Sequence, residues 1–241
     1  MINHWLEERA ISGASGGINF TLPFKLKRKF NGNLSEAIVT PWQLFNNTFV
    51  NWMLLMYIPD IPSGTSDLYA AVSAFENYTS GSKACYRGFE AYGDGYTNLQ
   101  GVGHILFQGT LIGTSSLARC YFKKDDKTFV TNATSTYTAL AFMNNKAQPV
   151  AIRRYGGTQG NTVRYYNYNT QTWDTLVTFS SNITHSVPLI IGAEPDTDNV
   201  TLVNPFNSNG QDVDIELHAT TIYAAENEAI RAAFYNKYGY N

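Results

Sequence analysis

Three carboxylates stand at alternate positions near the end of this 241-residue chain, in the run Asp212-Val213-Asp214-Ile215-Glu216-Leu217. Side chains of a strand point alternately to its two faces, so Asp212, Asp214 and Glu216 share one face while Val213, Ile215 and Leu217 share the other. The apolar set therefore faces a core. Burying three like charges side by side costs far more than packing returns, so the acidic face is wet, cation-bound or part of a cleft. A solvated strand face is the expectation. A calcium or glycan contact and catalysis are the chemical alternatives that such a row offers.

Aromatic residues form the second grouping: Tyr155, Tyr165, Tyr166, Tyr168 and Trp173 gather around one hairpin. Rings on a sheet surface stack on sugars or fill a protein interface with large area at low entropy cost. Val163 and Tyr165 alternate with Arg164, Tyr166 and Tyr168, which sends part of the group into a core and leaves Tyr155, Tyr166, Tyr168 and Trp173 as the candidate contacts to a glycan or partner. Other motifs are weaker. Gly13-Ala14-Ser15-Gly16-Gly17 matches a G-x-S-x-G elbow in letters, but that motif needs a strand before it and a helix after it; Ile18 to Leu22 reads as strand, so a flexible turn is expected. His4, His104, His185 and His218 show no metal-ligand spacing, and Cys85 and Cys120 fit no metal or redox pattern. The cysteines read as buried free thiols, with a single bridge left open. No cofactor is expected, with calcium as the one metal the acidic row allows.

The elements that position these groups are short. Between about Thr48 and Leu217 apolar stretches alternate with Gly, Asn, Asp, Ser and Pro, the spacing of an all-β sandwich or barrel. Thr162 to Tyr168 and Trp173 to Phe179, joined by Asn169-Thr170-Gln171-Thr172, predict a hairpin with a four-residue loop. Residues 1–33 read as an N-terminal arm, either an edge strand or a docking extension. Its basic run of Lys25, Lys27, Arg28 and Lys29 suits a solvated edge that resists mispairing. Residues 34–241 form the sandwich domain, closed by an amphipathic helix over Ala224 to Tyr238. Ile230, Ala233, Phe234 and Tyr238 lie near one face of it, Glu226 and Glu228 in its first turn, and Gly239 stops it.

Composition bounds the rest. Charged residues make up 15% of the chain and the net charge is −2, against about 25% charged in ordinary domains. The surface is therefore built of amide, hydroxyl and tyrosine groups, and nucleic-acid binding through bulk charge is excluded. No apolar run reaches the roughly 18 residues of a membrane span. The start, from Met1 to Arg9, lacks the basic and apolar regions of a secretory signal.

The order Pro188-Leu189-Ile190-Ile191-Gly192-Ala193, then the acidic strand, then Ile222-Tyr223, then a helix ending Phe234-Tyr235-Asn236-Lys237-Tyr238-Gly239 resembles the close of concanavalin A-like jelly rolls of the laminin-G-like type. The resemblance implies a two-sheet antiparallel jelly-roll sandwich with a C-terminal helix. The acidic triplet is also similar to the Glu-x-Asp-x-Glu strand of jelly-roll glucanases that look like family 16 glycoside hydrolases, with Asp212 a methylene shorter. That likeness would make Asp212 the nucleophile, Glu216 the acid/base and Asp214 the residue tuning them, in a pair roughly 5 to 5.5 Å apart. The leading reading is a non-enzymatic structural or attachment module, a bacteriophage virion surface protein assembled in the host cytoplasm. Its partners would be other virion subunits, further copies of itself and a cell-surface glycan. The alternatives are a glycoside hydrolase and a free-standing lectin.

Overall fold

The computed structural model of the chain describes residues 18–44, 49, 51–58, 70–80, 83–92, 104–109, 116–122, 129–132, 149–155, 161–168, 170–179, 187–196, 198–220 and 224–240. In chain order its strands begin with β1 (Phe24–Arg28), β2 (Ile38–Val39), β3 (Trp52–Tyr57), β4 (Ala70–Ser80), β5 (Lys83–Tyr92), β6 (His104–Gly109), β7 (Ser116–Phe122) and β8 (Phe129–Asn132). They continue with β9 (Pro149–Tyr155), β10 (Asn161–Asn167), β11 (Thr172–Phe179), β12 (Ile190–Ile191), β13 (Glu194–Pro195), β14 (Leu202–Val203) and β15 (Val213–Ala219), followed by helix α1 (Ala224–Asn236).

All described pairings are antiparallel. One sheet runs β1-β15-β3-β9-β10-β11 and a second runs β2-β12-β4-β5-β6-β7-β8, with β13 and β14 as a separate hairpin. The two larger sheets are the layers of a jelly-roll sandwich. Trp52, Leu54, Met56, Val150, Ile152, Val213, Ile215 and Leu217 of the first sheet share a buried core with Ile38, Val72, Ala74 and Ile191 of the second. Alternation along β15 sends its three apolar residues inward as the sequence predicts, because a period-two pattern can bury one face only in one register. The predicted hairpin is β10–β11, with Gln171 at positive φ in its loop. Of the segment 1–33, residues 1–17, including the Gly13 to Gly17 motif, lie outside the described set. From Phe24 onward the chain is built into the sandwich: β1 pairs with β15, and Phe24 and Phe30 are core residues.

Two polar anchors cross the core. Trp52 Nε1 and Arg154 Nη1 both donate to the Leu44 carbonyl, at 2.8 and 2.7 Å, fixing the segment before β3 to the sheet. Burial lowers the Arg154 pKa to about 10. The cysteines fall on β5 and β7, which are separated by β6. Cys120 aligns through Ile105 with Ala91. That places its row six positions from Cys85, about 20 Å along the strand, whereas a disulfide needs Cα atoms within about 7 Å. The bridge left open by the sequence is closed off by the register.

Gly192 follows β12 at φ +86°, and a Cβ there would meet the Phe30 ring at 2.4 Å. Gly210 has φ +76° but open space around it. Gly192→Ala should therefore cost more than about 2 kcal/mol, combining backbone strain with a core clash. Gly210→Ala should cost only about 1 kcal/mol, and urea unfolding of the two variants measures the difference.

Candidate functional site

Helix α1 lies across the outer face of the first sheet, and both sequence-marked groups come together beneath it. Its inward residues are Asn227, Arg231, Phe234 and Tyr235, spaced as a helix face requires, and Tyr238 in the turn after it continues that face. Phe234 and Tyr235 pack on Met53, Leu55, Ala151 and Tyr166. Ala233, expected on that face, is exposed, and Tyr235 takes its place. Gly239, at φ +76°, ends the helix with Tyr240 N donating to the Tyr235 carbonyl at 3.2 Å.

The acidic face of β15 is not solvated, which corrects the sequence expectation. Asp214 and Glu216 are 6% and 3% exposed, and only Asp212, before the strand, stands in water. The reason is the set of groups brought to them. Lys25 of β1 reaches Glu216 Oε2 at 3.1 Å, His218 Nε2 lies 2.9 Å from the same oxygen, and Lys237 bonds Glu216 Oε1. Tyr238 donates to Asp214 Oδ2 at 2.5 Å, and its ring stacks on Tyr57 with centroids 3.8 Å apart. Burial works to raise the Glu216 pKa, but the hydrogen bonds from His218, Lys237 and Lys25 outweigh it and hold the carboxyl down at about 2. Burial and the bond to Asp214 push the Tyr238 phenol up.

The aromatic group sits under the other end of the helix. Tyr166 is 6% exposed, ringed by Trp173 and Tyr235 at 5.5 Å and by Arg231, whose Cζ is 3.7 Å from its ring. As an external contact Tyr166 is therefore corrected to a packing residue, because α1 covers the face to which alternation assigns it. Tyr155, Tyr168 and Trp173 remain half-buried at the rim. Tyr168 stacks on Tyr235 and meets Tyr240 edge-on. The Tyr155 hydroxyl accepts from Asn227 Nδ2 at 3.4 Å. Trp173 Nε1 donates to Glu228 Oε1, while Arg231 Nε donates to Glu228 Oε2 at 2.9 Å.

The sequence reading passed over Arg153, which shares a face with Tyr155 and aligns with Arg164 on β10. Its guanidinium carbon lies 4.5 Å from the Tyr155 ring and 4.0 Å from that of Trp173. Desolvation lowers its pKa to about 10, partly offset by Tyr155 and Glu228. Two successive arginines in an otherwise apolar strand were the available signal, since period two must turn one of them inward. His218, read as a surface or satisfied core residue, is the ring bonded to Glu216. His4 and His185 lie outside the described residues, as does the side chain of His104. Among the described residues no group of three or more His, Cys, Asp or Glu could hold a metal, and no helix is long and apolar enough to cross a membrane. Asp198 spends its oxygens on Val200 N, Thr201 N and Thr201 Oγ1, holding the β13–β14 turn.

No protein-family model matches the chain, and no curated protein does either. Among solved structures it is similar to the enzymatically active domain of bacteriophage CBA120 tailspike protein 2, at 10% identity and a TM-score of 0.37, over 86% of this chain. The chain spans 27% of that tailspike domain's length. It is also similar to the exoplasmic/lumenal domain of VIP36 bound to Ca2+ and Man3GlcNAc, at 12% identity and a TM-score of 0.35, over 87% of this chain and 90% of that one.

Because the folded Glu216 carboxyl titrates at about 2 against an ordinary 4.5, its contribution to stability is whole above about pH 4.5 and is lost as pH falls toward 2. Glu216→Gln should lower stability by about 2–3 kcal/mol at neutral pH and flatten this acid limb, as read from thermal melts across that range. Tyr166→Ala should cost about 3 kcal/mol, as a large buried ring does. Tyr168→Ala, at the rim, should cost about 1 kcal/mol in the same urea titration.

Proposed function

We propose that the chain is a non-enzymatic structural or attachment module of a larger assembly, a bacteriophage virion surface protein of the tail, fibre or capsid-decoration kind. Its rim residues Tyr155, Tyr168 and Trp173 contact a glycan or a neighbouring subunit. The observation that carries this reading is the fate of the carboxylate row. A general acid needs a proton to give near working pH, and Glu216 is the acid/base of the hydrolase alternative. Glu216 is held ionised by Lys25, Lys237 and His218, and Asp214 accepts from Tyr238. These groups act as a fastening for the helix, not as an acid/base pair. A surface poor in charge and rich in Asn, Thr, Gly and Tyr supports an assembled, wetted shell component over a polyanion binder. The reading requires no cofactor, and fold alone names no ligand.

Two measurements test it. Native mass determination of the purified chain should give a symmetric homo-oligomer, whereas a monomer that recruits no virion subunit would remove the assembly role. Incubation with β-glucans and related polysaccharides should release no reducing sugar, and release from any of them would restore the hydrolase reading.

A further inference from the structure

The N-terminal end of α1 holds an unmet demand for negative charge. Arg153 is 5% exposed, and its Nε and Nη1 are buried with no hydrogen-bond partner; Arg164 Nε beside it is in the same condition. Among the described residues the carboxylate whose charge reaches Arg153 is that of Glu228, which also pairs with Arg231. Both Glu228 oxygens are already engaged, one by Trp173 and one by Arg231. Buried cations in native proteins are paired and hydrogen-bonded, because desolvating one without an acceptor costs several kcal/mol. An orphan of this kind has an acceptor to find, whether a water, an ion or a ligand.

We propose that Arg153 and Arg164, at the first turns of α1, form a subsite for the carboxylate of an acidic saccharide. This deepens the glycan-contact reading and rests on it. A guanidinium presents a planar fork matched to a carboxylate. Tyr155 and Trp173, both half-buried beside the Arg153 guanidinium, supply ring surface on which a pyranose face can lie. A neutral sugar would use the rings and leave the arginines unsatisfied. Approach is from the side of Arg164, Tyr155 and Trp173, which are the partly exposed members.

The test is thermal unfolding of the full chain with glucuronate, N-acetylneuraminate, glucose, sulfate or chloride at matched ionic strength. One of the two acidic sugars should raise Tm by about 2 °C or more above chloride and glucose. Arg164→Gln should abolish that rise without unfolding the chain, and Arg153→Lys should weaken it by keeping charge without the fork. Glu228→Gln should strengthen binding several-fold by removing the competing carboxylate, an effect opposite to that of a merely structural role. No rise with either sugar, or an equal rise with sulfate, would overturn the subsite. A homo-oligomer that shows no rise would lose the subsite and keep the attachment reading.

Discussion

The Glu216 carboxylate is the point on which the arrangement of this molecule turns. It sits on β15, next to the sheet edge, 3% exposed, and accepts from a residue of its own strand, from the edge strand and from the segment just past the helix. A lone buried carboxylate would be expelled or protonated. Three donors from three parts of the chain reverse that balance, so the strand, the edge and the helix hold one another in place. Removing any one donor loosens the other two contacts, because each relies on the charge that the set keeps ionised.

The helix docks with an internal polarity that follows from its own charges. Glu226 and Glu228 lie near its N-terminus and Lys237 just past its C-terminus, which favours the macrodipole. The sheet beneath offers the opposite pattern, arginines under the N-terminal end and carboxylates under the C-terminal end. Glu228 and Lys237 are thus shared between helix dipole and sheet. Between them the aromatic layer of Tyr166, Phe234 and Tyr235 excludes water. Polar ends fix the direction of docking, and the apolar middle supplies most of the stabilisation.

The sandwich was legible wherever one rule decided the outcome. Period two placed Val213, Ile215 and Leu217 in the core, and the turn residues marked the β10–β11 hairpin. The site was legible only in part, because alternation says which face a residue takes but not what covers that face. Tyr166 and the Asp214–Glu216 pair were each assigned to the correct side of their strands. Both were then covered by a helix whose docking depends on contacts more than twenty residues away in sequence for Lys237 and Glu216, and fifty-five for Trp173 and Glu228. Arg153 was legible only in half: two successive arginines show that one turns into the core, not that the other is covered. An arginine on an outer face reads as solvated until a second layer is laid over it.

The basic edge strand carries a wider consequence. Lys25 is tied to Glu216, while Lys27 of β1 and Lys29 just past it are exposed. A row of cations discourages another chain from adding its backbone there. At the far border of the same sheet β11 has a described neighbour on one side only, and its stretch Thr172 to Phe179 carries a single ionisable side chain, Asp174. Of the sheet's two described borders, it is the β1 side that carries the charge deterring strand addition.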